Sequence, residues 1–229
     1  SGPEDPATFA LNLAVTRRAE AMGFDFVLGQ SVWRGHGGET RFWDESLECF
    51  TIAAALAAAT ERIGVIPSVQ PLLYPPAVAA KMLATIDDVS GGRVGVNLVA
   101  GAHFREYEQM GLVPDGHPPR KYDYLAEWTE VLHRLWTEDR VTHHGEWFDL
   151  EDCVCGPKPL QQPTPRVLCA GASPAGMEFT AAHASHAFVG GKDRAAIAET
   201  AQRYRARAAE LGRELSIYTV VNYTLEATQ

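Results

Sequence analysis

Residues 90–101 read SGGRVGVNLVAG. Ser90-Gly91-Gly92 predicts a tight turn, because paired glycines enter backbone regions closed to other residues. Residues 93–99 predict a buried strand, with Val94, Val96, Leu98 and Val99 separated by small residues. One polar side chain, Asn97, sits inside that apolar run, and Gly101 ends it. Residues 75–88, opened by Pro75-Pro76, predict a helix. Helix, glycine turn and apolar strand with an amide near its C-terminal end form the unit of an α/β protein. In a parallel barrel, a polar residue at that end of a strand points to where active sites form. On the residues alone, Asn97 either satisfies buried backbone or faces a ligand.

The same alternation continues outward. Asp5-Pro6 predicts a helix start, with Phe9, Leu13, Ala21 and Met22 on the buried face and Gly23 as C-cap. Residues 24–30 predict a strand, 47–61 a well-buried alanine-rich helix, and 62–70 a strand carrying Ser68 and Gln70 near its end. Residues 102–119 are irregular, with a short helical piece near 106–110. Residues 122–136 are helical on the spacing of Leu125, Trp128, Val131, Leu132 and Leu135. Residues 142–165 predict a small β excursion followed by a proline-rich connector. Strands follow at 166–173, 186–191 and 216–225, with helices at 173–183 and 194–211. Strands alternating with helices predict a parallel sheet with helices outside, in one domain over 1–229. The chain opens on a helix, and a full (β/α)8 barrel typically takes ~250 residues. The expectation is a barrel lacking its first strand and C-terminal part, within a longer chain.

A formal net charge of −9 and a pI near 5.4 argue against a nucleic-acid or anionic-membrane binder, while leaving room for a local basic pocket. The longest apolar run, 52–59, is too short to span a bilayer, and no signal peptide is visible. Cys49, Cys153, Cys155 and Cys169 show no zinc spacing, so no metal is expected, and a reducing, cytoplasmic compartment fits best. The loop QSVWRGHGGETRFW, residues 30–43, is polar, aromatic and glycine-rich; it reads equally as a mobile loop and as a ligand loop.

Seven further pieces complete the pattern: AEAMGFDFVLG, RGHGGETRFWDESLECFT, LAAATERIGV, PPAVAAKMLATID, EYEQMG, KYDYL and CAGASPAGMEF. With TIDDVSGGRVGVNLVAG, their order and spacing resemble the bacterial luciferase-like, flavin-dependent monooxygenases, closest to the pyrimidine-oxygenating branch of uracil catabolism. The resemblance implies a (β/α)8 TIM barrel and a two-component reaction. Reduced FMN comes from a separate NAD(P)H:flavin reductase, O2 is the co-substrate, and a small organic molecule is oxygenated. It implies that Asn97 and Ser68 are catalytic, Asn97 facing the flavin ring and the Ser68 hydroxyl helping to hold oxygen. Ser31 and Val32 would touch the isoalloxazine. Glu106, Lys121, Tyr122 and Ser173 would contact the ribityl chain and phosphate. Gln70, Ala102 and His103 would line the substrate pocket. A homodimer or higher homo-oligomer is also implied.

The chain departs from these relatives at three places. Ser68 replaces Thr, which keeps the hydroxyl. Lys121 replaces Arg, which removes a bidentate donor. Ala100-Gly101-Ala102-His103 stands where the pyrimidine enzymes read roughly TGWQ, which opens the pocket and changes its polarity. Arg34 and His36 receive no role from the resemblance. Read without it, Ser173 only caps its helix, Glu106 is a solvated charge, and Tyr122 is helix surface. The alternatives are a sulfone or alkanesulfonate monooxygenase of the same family and a shortened, non-catalytic flavin-binding protein.

Overall fold

The computed structural model describes residues 7–30, 32–39, 41, 43–101 and 103–219, with Pro118 as backbone only. The described chain divides into two compact units between Val167 and Leu168. The first contains α1 (Phe9–Ala21), β1 (Phe26–Gly29), α2 (Cys49–Ala58), β2 (Gly64–Val69), α3 (Pro76–Ser90), β3 (Gly95–Leu98), α4 (Arg105–Glu108) and α5 (Lys121–Thr137). β1, β2 and β3 are parallel neighbours in that order. Helices α2 and α3 make the crossovers, which is the βα arrangement of a (β/α)8 barrel. The β2–β3 register sets Ser68 opposite Asn97.

The turn between α3 and β3 is built as its sequence requires. Gly91 takes a left-handed φ of 64° as the C-cap, and the amides of Gly91 and Gly92 return to Asp88 O and Asp87 O at 3.0 and 2.8 Å. Ser90 Oγ donates to Asp87 O and accepts from the Arg93 amide. The Arg93 guanidinium then reaches across the sheet. Nε donates to Ser90 O at 2.6 Å, Nη1 to Ile63 O at 2.5 Å, and Nη2 to Ala57 O and Thr60 O, both at 3.0 Å. Helix α2 has no basic residue in its last turn, so Arg93 supplies the positive end its carbonyls lack. The opposite side of the same α2–β2 connection is held by Glu20 from α1. Its Oε1 accepts from the amides of Glu61, Arg62 and Ile63 at 3.0, 2.7 and 3.0 Å.

Behind the sheet, α3 packs on α5 and α2. Trp128 is fully buried and donates Nε1–H to Tyr74 O at 2.8 Å, so its polar atom is satisfied inside the core. The buried Asp87 carboxylate accepts from the Gln161 amide at 3.0 Å and from its side-chain Nε2 at 2.7 Å. This ties the proline-rich connector to α3. The chain between α5 and that connector forms an antiparallel hairpin, β4 (Val141–His144) and β5 (Asp149–Cys153). Its turn closes on Glu127 of α5, which accepts from the Glu146, Trp147 and Phe148 amides.

The second unit begins within β6 (Arg166–Cys169) and continues through α6 (Pro174–His183), β7 (His186–Val189), α7 (Arg194–Glu210) and β8 (Ser216–Thr219). β7 pairs in parallel with β6 and β8. Tyr204 of α7 is buried and donates its hydroxyl to Gly171 O at 2.5 Å, fixing the loop that leads into α6. No described helix is long and apolar enough to cross a membrane.

Some expectations are corrected. Helix α1 is capped by Thr8, whose side chain accepts from the Leu11 amide at 3.2 Å, and not by Asp5. Asp5, Pro6 and the end of the last strand lie outside the described residues. The apolar face expected on α1 is not buried: Phe9 is 44% exposed and Met22 63%. Its main packing is against α2 and β1, and Thr16 is the residue it buries. Helix α2 buries Cys49, Phe50, Ala53, Leu56 and Ala57 along one face, with its opposite face reaching solvent.

Two predictions follow from the clasp on the α2–β2 connection. Arg93→Lys cannot span four carbonyls and leaves several orphaned, so it lowers unfolding free energy by about 3 kcal/mol, measured by urea denaturation. The backbone amides of Arg62 and Ile63 pull the Glu20 carboxyl down from 4.5 to about 2. Its contribution to stability is therefore present above about pH 4.5 and is lost as pH falls toward 2. Glu20→Gln lowers the melting temperature at pH 7, and its gap from wild type narrows as pH is lowered from 5 to 3.

Candidate functional site

The C-terminal ends of β2 and β3 bring three buried polar side chains together: Ser68, Gln70 and Asn97, exposed by 4, 6 and 6%. Val96 and Leu98 pack to one face of β3, and the strand period turns Asn97 to the other. Asn97 Nδ2 donates to Ser68 Oγ at 3.0 Å. Its Oδ1 is buried with no hydrogen-bond partner among the described residues. An unsatisfied amide oxygen in a strand end calls for a donor from a ligand or from water. Because Ser68 Oγ accepts from Asn97, its own hydroxyl hydrogen is left to donate elsewhere.

These groups open on a cavity of about 260 Å³. Val32, Trp43, Val99 and Tyr107 supply apolar and flat aromatic walls, and His103 and Glu106 complete the polar rim. The first loop is held against α4 by its backbone. The Trp33 amide donates to Glu106 Oε2 at 2.8 Å, and Gln109 Nε2 donates to Trp33 O at 2.9 Å. Val32 is locked in turn by Ser46, whose hydroxyl bonds both its amide and its carbonyl. Glu106 is therefore a buried strut of the cavity wall, not a solvated charge.

Beside this cavity, three residues past β3, Gly101 has φ 87°, and a Cβ there would lie 3.2 Å from the Tyr107 ring. Both conformation and space demand glycine. Its carbonyl accepts from Lys121 Nζ at 2.9 Å, at the start of α5. Lys121 also lies 5.5 Å from the Tyr122 ring centroid. Next to it is a buried imidazole, His117, 1% exposed. The rings of Phe104, Tyr124 and Trp147 stand edge-on around it at 5.6, 4.9 and 6.3 Å. Burial, with a smaller push from the Lys121 charge, holds its pKa below the ordinary 6.5. Burial and the Glu106 charge likewise raise the Tyr107 phenol well above its usual range, so it stays protonated.

Of the site residues expected from sequence, Val32, Ser68, Gln70, Asn97, His103 and Glu106 share one cavity. Lys121 lies in a neighbouring small cleft with Gln70 and Tyr107, and Tyr122 lines neither. Ser31 and Ala102 lie outside the described residues. Ser173 belongs to the second unit, where its Oγ accepts from the Gly176 amide at 3.1 Å as the N-cap of α6. Among the described residues, no group of three His, Cys, Asp or Glu is placed to hold a metal.

Three residues were missed. His36 packs edge-on against His103 with ring centroids 4.6 Å apart. Tyr107 lines both cavities, and His117 is caged beside Lys121. The available signal for His36 was a histidine flanked by glycines in the loop after a strand. His117 had none, since its aromatic cage comes from the start of α4, from α5 and from the hairpin turn.

The luciferase-like monooxygenase family profile matches residues 1–227. The pyrimidine monooxygenase RutA of Cronobacter sakazakii is 48% identical over 217 residues, covering 93% of this chain and 63% of that one. The protein of the same name from Methylorubrum extorquens is 44% identical over 224 residues, covering 96% and 61%. The chain thus spans about three fifths of the length of the curated relatives it matches. Among solved structures, riboflavin lyase RcaE, with modified FMN and riboflavin, superposes with a TM-score of 0.82 at 24% identity. That match covers 93% of this chain and 55% of that one, and it shows the expected barrel fold.

The lowered His117 pKa gives a pH test. The unfolded chain takes up the proton near pH 6.5 and the folded chain resists it, so stability falls as pH drops below about 6.5. His117→Phe keeps an aromatic ring in the cage and removes this portion of the fall. Melting temperatures at pH 7.5 and 5.5, for wild type and variant, measure it.

Proposed function

The chain belongs to the luciferase-like monooxygenase family, and on that premise we propose that it forms the flavin site of a two-component monooxygenase. It takes reduced FMN from a separate NAD(P)H:flavin reductase and, with O2, oxygenates a small N-heterocycle of the pyrimidine class. The observation that carries this reading is the Asn97 amide, fixed by Ser68 and left with an unpartnered oxygen inside an aromatic-walled cavity.

The residues fit a flavin. A planar heteroaromatic ring matches flat walls such as Tyr107 and Trp43, and a ring N–H satisfies Asn97 Oδ1. Bound reduced FMN supplies two electrons, with which one atom of O2 is transferred to substrate and the other leaves as water. Asn97 Oδ1 would accept a hydrogen bond from a ring N–H, while Nδ2 keeps Ser68 oriented. The Ser68 hydroxyl donates to negative charge developing on oxygen. Val32, Val99 and Tyr107 exclude water, which strengthens both hydrogen bonds. Glu106 holds the first loop in place by its bond to the Trp33 amide.

The remaining contacts belong to the same reading. Lys121 and Tyr122 stand near the end of β3 and supply a cation and a hydroxyl toward the ribityl and phosphate. Within the second unit, the Ser173 hydroxyl hydrogen and the Ala175 amide are the donors left for a phosphate, since the Gly176 and Met177 amides already bond Ser173. Exchange of reduced flavin suits a reducing cytoplasmic compartment, in keeping with four free cysteines. The exposed Phe9, Val15 and Met22 of α1 give apolar surface for association between copies.

The test is oxygen transfer from isotopically labelled O2 by the full-length protein with a flavin reductase, FMN, NADH and uracil or related heterocycles. Asn97→Ala lowers product formation by about 100-fold and Ser68→Ala by about 10-fold, on the scale of losing one oriented hydrogen bond at developing charge. Folding is checked by melting temperature. Reduced FMN consumed with no label in any heterocycle overturns the reading.

A further inference from the structure

A second and larger cavity, of about 620 Å³, lies against the first. The two share His36, His103 and Glu106, so the cavities adjoin at these three residues, and this junction is the passage of the proposal below. Arg34, Arg105 and Asp44 complete the charged wall of the outer chamber.

The wall carries two arginines and two carboxylates, and they differ in how far their polar atoms are already engaged. Both carboxylates are already committed. Asp44 accepts from the Gly37 amide at 3.1 Å and pairs with Arg41 at 3.3 Å. Glu106 is buried and bonded to the Trp33 amide. Arg34 and Arg105 make no side-chain hydrogen bond or ion pair with any described residue. Arg34 and Arg105 are both exposed and line one chamber with their guanidinium donors uncommitted to any described residue. Cations gathered in a concave wall focus potential and select anions, and a guanidinium fork matches a carboxylate in two parallel bonds. The His36 and His103 rings add N–H donors at the passage itself.

Taking the inner cavity as the flavin site proposed above, we propose that the outer chamber is the substrate's anion-recognition site. The substrate is then an acidic heterocycle: a pyrimidine-like ring bearing a carboxylate, with the ring lodged at His36 and His103 and the carboxylate held by Arg34 and Arg105. These are specificity residues and take no part in the oxygen chemistry. The sequence departs from the pyrimidine enzymes at this same passage, where His103 follows Gly101 and Ala102.

The experiment is equilibrium dialysis of full-length protein, both flavin-free and loaded with oxidised FMN, against uracil, uracil-5-carboxylate and uracil-6-carboxylate. At least one carboxylate is expected to bind about tenfold more tightly than uracil at low salt, with the advantage shrinking as salt rises. The double variant R34Q/R105Q removes that advantage and leaves FMN affinity, and the preference for FMN over riboflavin, unchanged. The proposal is overturned if neither carboxylate outbinds uracil or if the double variant keeps the preference. It is also overturned if the variant weakens FMN and not riboflavin, since the arginines then serve the cofactor's phosphate. Failure of the flavin reading shows separately, as wild-type protein that binds no FMN while flavin-free protein still prefers a carboxylate through the arginines.

Discussion

The connection from α2 into β2 is gripped from both sides, and the site depends on that grip. Glu20 takes the amides of residues 61–63, and Arg93 takes the carbonyls of Ala57, Thr60 and Ile63. Backbone groups that would otherwise be left without partners are satisfied by two side chains of opposite charge. Arg93 also begins the run into β3, so one guanidinium fixes where two adjacent strands start. With both starts fixed, the register follows, and at its far end Ser68 lies opposite Asn97. A catalytic-looking hydroxyl–amide pair is in this sense the downstream result of a helix-capping arginine.

The hydrogen-bond polarity of that pair matters more than its proximity. Asn97 donates a hydrogen bond to Ser68 and keeps an unsatisfied acceptor, while Ser68 keeps an available donor. The pair therefore presents one acceptor and one donor to the cavity without carrying charge. A neutral pair of this kind offers complementary hydrogen-bonding groups side by side, and desolvating it costs less than desolvating ions.

Much of this was legible in the sequence because it is local. Ser90-Gly91-Gly92 announces a turn, the valines around Asn97 a buried strand, and the spacing of Leu125, Trp128 and Leu132 a buried helix face. The parallel α/β architecture follows from that alternation. What sequence could not show is what a residue meets at long range. Glu106 reads as a loop charge until its bond to the Trp33 amide, seventy-three positions away, is known. His117 looks like an ordinary loop histidine, and its three aromatic neighbours come from separate elements. The error on α1 has the same origin: apolar residues at helical spacing indicate a face that can be buried, not one that is.

The first loop and α4 are joined by two hydrogen bonds, from the Trp33 amide to Glu106 and from Gln109 to the Trp33 carbonyl. His36 rides on one partner and His103 lies two residues before the other, so the two imidazoles belong to a single braced assembly. The two segments are then constrained as a pair. A substitution that reshapes one loop shifts the histidine on the other, and only compensated changes keep the passage intact. Ser68 and Asn97 stand apart from that assembly, on the strand ends, where they are bonded to each other.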